Sequence, residues 1–69
     1  MFKTDQEWMR RFVIRALREA NINARGIRSA NLYLMARDRK HHFPTYFLQV
    51  NGRIVPNLVF DDMGNIIRD

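Results

Sequence analysis

Cysteine is absent, which excludes a disulfide scaffold, a thiol nucleophile and a thiolate zinc site together. Three glycines and two prolines are too few for a flexible linker or a low-complexity tract, and no internal repeat is visible. No apolar run approaches the roughly 20 residues of a membrane span. The chain also does not begin with the basic, apolar and small-residue order of a signal peptide. The expected setting is therefore cytoplasmic, with no membrane partner. Acidic residues are in the minority, 7 against 12 Lys plus Arg in 69 residues. That length allows one domain, residues 1–69. At 46% apolar and 28% charged the composition is that of a chain that folds. A core of this size supplies about 3–5 kcal/mol of net stability, so apolar surface shared with a second copy or with a host protein is an open route to more.

The spacing predicts an amphipathic helix over 5–20. Thr4 followed by Glu7 reads as a capping box, and Asp5 and Glu7 place negative charge at the positive end of the helix dipole. Trp8, Met9, Phe12, Val13, Ala16, Leu17 and Ala20 recur at helical steps and form the expected core face. Asn21 or Asn23 should end the helix, since Asn tolerates a left-handed cap. On the other side Arg11, Arg15 and Arg18 lie within about 60° of one another at about 100° per residue. They read either as a solvated face, with Glu7–Arg11 and Arg15–Glu19 pairs, or as a phosphate-contacting stripe.

Beyond Gly26 the period changes to two. Ala30, Leu32, Leu34 and Ala36 alternate with Ser29, Asn31, Tyr33, Met35 and Arg37, which predicts a strand, although residues 30–40 are also good helix formers. Residues 45–50 form a second strand running into Asn51-Gly52, a hairpin signal, and a third should cover 53–60. Tyr46, Leu48, Ile54, Leu58 and Phe60 are all even-numbered. One face for all five needs an odd loop, so a three-residue connection with Gly52 in a bulge is expected. Pro56 belongs at an edge or bulge. Residues 61–64 read as a turn, and 65–67 as a short last strand.

The expected architecture is thus α+β, one N-terminal helix packed on an antiparallel meander of three to four strands. The sheet face away from the helix would carry Tyr33, Met35, Phe47 and Val55, more apolar than a wet face usually is.

Charge is unevenly distributed. Residues 1–53 carry 11 basic and 4 acidic side chains, whereas 54–69 carry one Arg and three Asp. Such asymmetry suits a polyanion, whose condensed counterions are released on binding. Ten of the twelve basic residues are Arg, whose planar fork grips phosphate and stacks on bases. The candidate contacts are Arg11, Arg15 and Arg18 on the helix, and Arg37, Arg39, Lys40 and His42 in the loop before the second strand, where Phe43 and Tyr46 add aromatic rings. Adjacent His41 and His42 point to opposite sides of an extended chain and lack partner ligands, so no metal or other cofactor is expected. No nucleophile-base arrangement or Gly-rich phosphate loop is legible, and Asp61-Asp62 suits turn capping, so the chain does not read as an enzyme.

His42 and Tyr46, four residues apart with Pro44 between them, resemble the loop and second strand of double-stranded RNA-binding domains over about ten residues. The Gly-Pro before the histidine is missing, and Asp61-Asp62-Met63-Gly64 stands where that family starts a lysine-rich second helix. No family is assigned. Two functions are consistent with the residues. One is DNA or RNA binding through the arginines. The other is a protein-binding module, a homodimer or a partner of an acidic protein, acting through Tyr33, Met35, Phe47 and Val55 in the manner of a small adaptor or inhibitor from a mobile element.

Overall fold

A computed structural model describes residues 2–35 and 42–68. Residues 2–6 are extended and lie along the first strand, a single 3₁₀ turn at Glu7–Met9 comes next, and helix α1 spans Arg10–Glu19. Strands β1 (Ala30–Leu34), β2 (Tyr46–Val50) and β3 (Arg53–Ile54) form an antiparallel sheet in the order β1-β2-β3. The fold is α+β, with strand and not helix at 30–34; Ala36, Arg37 and the rest of 36–41 lie outside the described residues.

The N-terminal segment explains where the helix starts. Lys3 bridges Ser29 in parallel, donating its N–H to the Arg28 carbonyl (2.8 Å) and accepting from the Ala30 N–H (3.0 Å). Asn31 Oδ1 accepts from the Thr4 hydroxyl and the Asp5 N–H, both at 2.8 Å. The Gln6 amide then takes the place of a peptide group. Its Nε2 donates to the Leu32 carbonyl (2.6 Å) and its Oε1 accepts from the Leu32 N–H (3.0 Å). These bonds satisfy the Ala30 N–H and both backbone groups of Leu32, which β2 does not reach, and cover part of a strand edge that would otherwise be open to pairing.

They also replace the expected capping box. Thr4 Oγ1 accepts from the Gln6 N–H at 3.2 Å, and Glu7 turns to Arg10, in a bidentate pair at 2.6 and 2.9 Å, instead of back to Thr4 or on to Arg11. Because Lys3 is bridged to Ser29 and Thr4, Asp5 and Gln6 are bonded to Asn31 and Leu32, α-helix begins at Arg10 and not at Asp5. A 3₁₀ turn advances about 120° per residue against about 100°. At helical spacing Trp8 is already about 140° from Val13; the 3₁₀ turn takes it further round, and it is 75% exposed.

Met9, Val13, Ala16 and Leu17 remain on the buried face of the helix, packed with Phe2, Ala30, Leu32, Leu48 and Phe60. At the other end Asn21 is left-handed (φ 61°). Its N–H bonds the Arg18 carbonyl, the Ile22 N–H bonds the Leu17 carbonyl, and Ile22 packs on the core. That is a Schellman cap with its apolar contact.

The hairpin differs from the expected bulge. Asn51 and Gly52 have φ of 51° and 80°, and Gln49 pairs with Ile54 and Val50 with Arg53, so the connection is a two-residue turn with both central residues left-handed. Its twist matches that of the flanking strands, which a bulged loop does less directly. The consequence is a reversal of faces. Ile54 points away from the helix and is 59% exposed, whereas Val55 packs against the core. Val55 therefore leaves the expected outer face.

Even parity returns further along the chain. Pro56 and Asn57 (φ 63°) are exposed and loop out. The Val55 N–H still bonds the Leu48 carbonyl, but Phe60 pairs with Tyr46, so four residues (56–59) on one side stand opposite one, Phe47, on the other. The odd insertion sits at Pro56, where a missing N–H costs no ladder bond. Phe60 then also bridges Ile66, as the chain turns at 61–64 and comes back.

That last turn docks on the helix. Gly64 is buried with φ 84°, and a side chain there would run into the Phe12 carbonyl and approach the Ala16 nitrogen at 3.2 Å. Both the backbone conformation and the close approach require glycine. Gly64→Ala is expected to lower stability by about 3 kcal/mol or more in urea unfolding, since it combines backbone strain with overpacking. Gly26→Ala, at φ 80° but with nothing near its Cβ, should cost about 1 kcal/mol.

Candidate nucleic-acid interface

Arg11, Arg15 and Arg18 are all exposed on α1. At about 100° per residue they lie opposite the direction of Val13, Ala16 and Leu17. Trp8, three residues before Arg11 and seven before Arg15, falls among them at helical spacing, so that residues 8, 11, 15 and 18 make one line on the solvent side. Arg11 leans over the Phe12 ring, 5.8 Å from its centroid. Among the described residues no carboxylate comes within ion-pair distance of these three arginines. Glu19, the expected partner of Arg15, instead accepts from the Ile66 N–H at 3.3 Å.

Arg10 is different in kind. It is held by Glu7, it donates to the Phe2 carbonyl at 3.1 Å, and its guanidinium sits 5.0 Å from the Phe2 ring centroid. The hydrogen bond from Arg10, aided by its charge, holds the Glu7 carboxyl below its ordinary value against the opposing effect of burial. Arg10 thus fastens the N-terminal segment to the helix and is not free to bind an anion.

The loop cations occupy a different part of the chain. Arg37, Arg39 and Lys40 lie outside the described residues. His42 is exposed and is followed by Phe43, 50% exposed.

On the outer sheet face Tyr33, Met35 and Phe47 are each half-buried. The Tyr33 and Phe47 rings stand 5.7 Å apart at 44°. The Tyr33 hydroxyl donates to Asp5 Oδ2 at 3.3 Å, and burial, the Asp5 charge and that bond raise its pKa. Ile54 joins this face in place of Val55.

Two residues therefore enter the candidate surfaces that pattern reading misplaced. Trp8 sits at the margin of the apolar half-cylinder, and its angular distance from Val13 could have flagged it. Ile54 was signalled by Asn51-Gly52 itself, once the two-residue turn is preferred over parity.

At the hairpin end Gly26, Arg28, Ser29 and Asn51 line a shallow depression. The N–H groups of Arg28 and Ser29 both donate to Asn51 Oδ1, at 2.7 and 3.2 Å, so those donors are already used. Among the described residues no three His, Cys, Asp or Glu side chains gather as a metal site, and no helix is long and apolar enough to cross a membrane. No protein-family model, curated protein or solved structure matches the chain.

Arg15 also acts on the C-terminal turn. Asp61 Oδ1 accepts from the N–H groups of Met63 and Asn65, both at 2.9 Å, and Oδ2 accepts from the Asn65 amide at 3.2 Å. Burial pushes the Asp61 carboxyl up, but the hydrogen bonds from Asn65 and Met63 together with the Arg15 charge outweigh it and hold the pKa below its ordinary value. A lowered folded-state pKa contributes stability above the unfolded value of about 3.9, and this is lost as pH falls through the folded one. The stability advantage of the wild type over Asp61→Asn, measured by urea unfolding, should accordingly be full at neutral pH and shrink as pH falls below about 4.

Proposed function

We propose that this protein binds nucleic acid, in a cytoplasmic setting, by laying the solvent face of α1 against phosphates. The observation that carries the reading is the exposed line of Arg11, Arg15 and Arg18, paired with no described carboxylate. Three fork-shaped cations on a rigid helix make a ready phosphate contact, because no internal ion pair has to break first. Arg37, Arg39 and Lys40, with His42 beside them, add further cations and a polar ring within residues 1–53, and the acidic tail leaves that charge concentrated. Binding, not catalysis, is the proposed activity, and the arrangement calls for no cofactor.

Fluorescence anisotropy with labelled oligonucleotides at a series of salt concentrations tests the reading. Three phosphate contacts predict a slope of log K against log salt of about −2 to −3, and replacing Arg11 and Arg18 with Gln should flatten it by about 1.4 to 1.8. Binding that ignores both substitutions, or no binding at about 50 mM salt, refutes it.

A second reading rests on the outer sheet face, where Ile54 adds an exposed apolar side chain to Tyr33, Met35 and Phe47. Under it the chain is a protein-binding module that dimerises or docks through this face. Sedimentation velocity at micromolar concentration should then show a dimer that Ile54→Asp turns into monomer. A monomeric wild type removes the dimer form of this reading.

A further inference from the structure

Trp8 is the single tryptophan of the chain and is 75% exposed. Its neighbours on both sides are immobilised. Gln6 is bonded to β1 through its amide, the Met9 N–H closes the 3₁₀ turn on the Gln6 carbonyl at 2.8 Å, and Arg10 is clamped to Glu7 and Phe2. The backbone therefore presents a large flat ring to solvent from a fixed point. Next to it on the same line come Arg11, about 5 Å along the axis, and Arg15, about 6 Å further.

A ring at the head of a row of cations suits one ligand chemistry above others. Bases stack on an aromatic face, the phosphates that link them meet the guanidiniums, and the stack is indifferent to sequence. Only an unpaired base can offer its face, since those of a duplex are covered by their neighbours. We infer that Trp8 is a base-stacking platform and that the α1 face selects single-stranded nucleic acid over duplex. This rests on the nucleic-acid reading above and adds the substrate class to it.

Because Trp8 is the only tryptophan, its emission reports on the site directly. The protein is titrated with an oligothymidylate of about 15 nucleotides and with a hairpin duplex of similar length, monitoring Trp8 fluorescence and the anisotropy of a label on the oligonucleotide. The single strand is expected to quench Trp8 and to bind more tightly than the duplex. Trp8→Ala should weaken single-strand binding about 5- to 100-fold, with the salt slope unchanged because the phosphate contacts remain, while Trp8→Phe keeps most of the affinity. Far-ultraviolet circular dichroism checks that both variants fold.

If single strand and duplex bind equally, with Trp8 emission unchanged and Trp8→Ala as tight as wild type, the stacking inference is overturned while the arginine reading stands. If neither oligonucleotide binds the wild type at about 50 mM salt, the nucleic-acid reading fails and the inference with it. Quenching of Trp8 by an acidic polypeptide, polyglutamate, as strong as by the oligonucleotide overturns the assignment to bases.

Discussion

The attachment of residues 2–6 to the open side of β1 governs where the helix begins. An exposed strand edge carries unsatisfied donors and acceptors, and here Lys3 and Gln6 meet several of them, the latter with a side-chain amide that imitates a peptide. Asn31, buried on β1, completes the junction by accepting from Thr4 and Asp5. With those residues committed to the sheet, helix cannot begin until after Gln6, and it begins through a 3₁₀ turn. Steps of three and four residues already place Trp8, Arg11, Arg15 and Arg18 on one side of the helix, and the 3₁₀ turn takes Trp8 further from Val13. Met9, Val13, Ala16 and Leu17 go inward, while Trp8 turns out to join the arginines.

The C-terminal third supports the other flank of the helix by a different device. Side chains keep most packed elements apart, but Gly64 lets backbone meet backbone at Phe12 and Ala16. The Asp61 carboxylate organises the turn that delivers Gly64, and Ile66 joins both Glu19 and Phe60. Helix α1 is thus gripped along one side by an extended segment on β1 and along the other by a glycine turn. Its remaining surface, the line through Trp8, Arg11, Arg15 and Arg18, is left to solvent.

This division gives the arginines two characters. Arg10 holds the N-terminus in place, and Arg15, though exposed, also lends charge to the Asp61 turn. Arg11 and Arg18 have no such structural task among the described residues. A surface in which charge has no internal partner is costly for the compact state, since like charges on one helix face repel. A polyanionic ligand relieves that repulsion.

Much of the fold was legible from residues near one another in sequence. The core half of the helix, its Asn21 cap, the strands at β1 and β2, the Asn51-Gly52 hairpin and the arginine stripe are local patterns, written in period and turn chemistry. In β1, however, Leu34, expected on the buried face, is 64% exposed and Asn31, expected outside, is buried. What tertiary structure decided is where those patterns start and which way they face. Thr4, Asp5 and Glu7 read as a helix start, but bonds to residues 26 or 27 positions away hold Thr4, Asp5 and Gln6 against β1. Even-numbered apolar residues read as one continuous face, but the turn imposes its own register on Ile54 and Val55 and the chain recovers parity at Pro56. Sequence by itself determined which stretches are helix and strand and where positive charge gathers. The bonds of Thr4 and Gln6 to β1 decided that α-helix begins at Arg10 and not at Asp5, because backbone held by residues 26 and 27 positions away cannot also take the first helical turn.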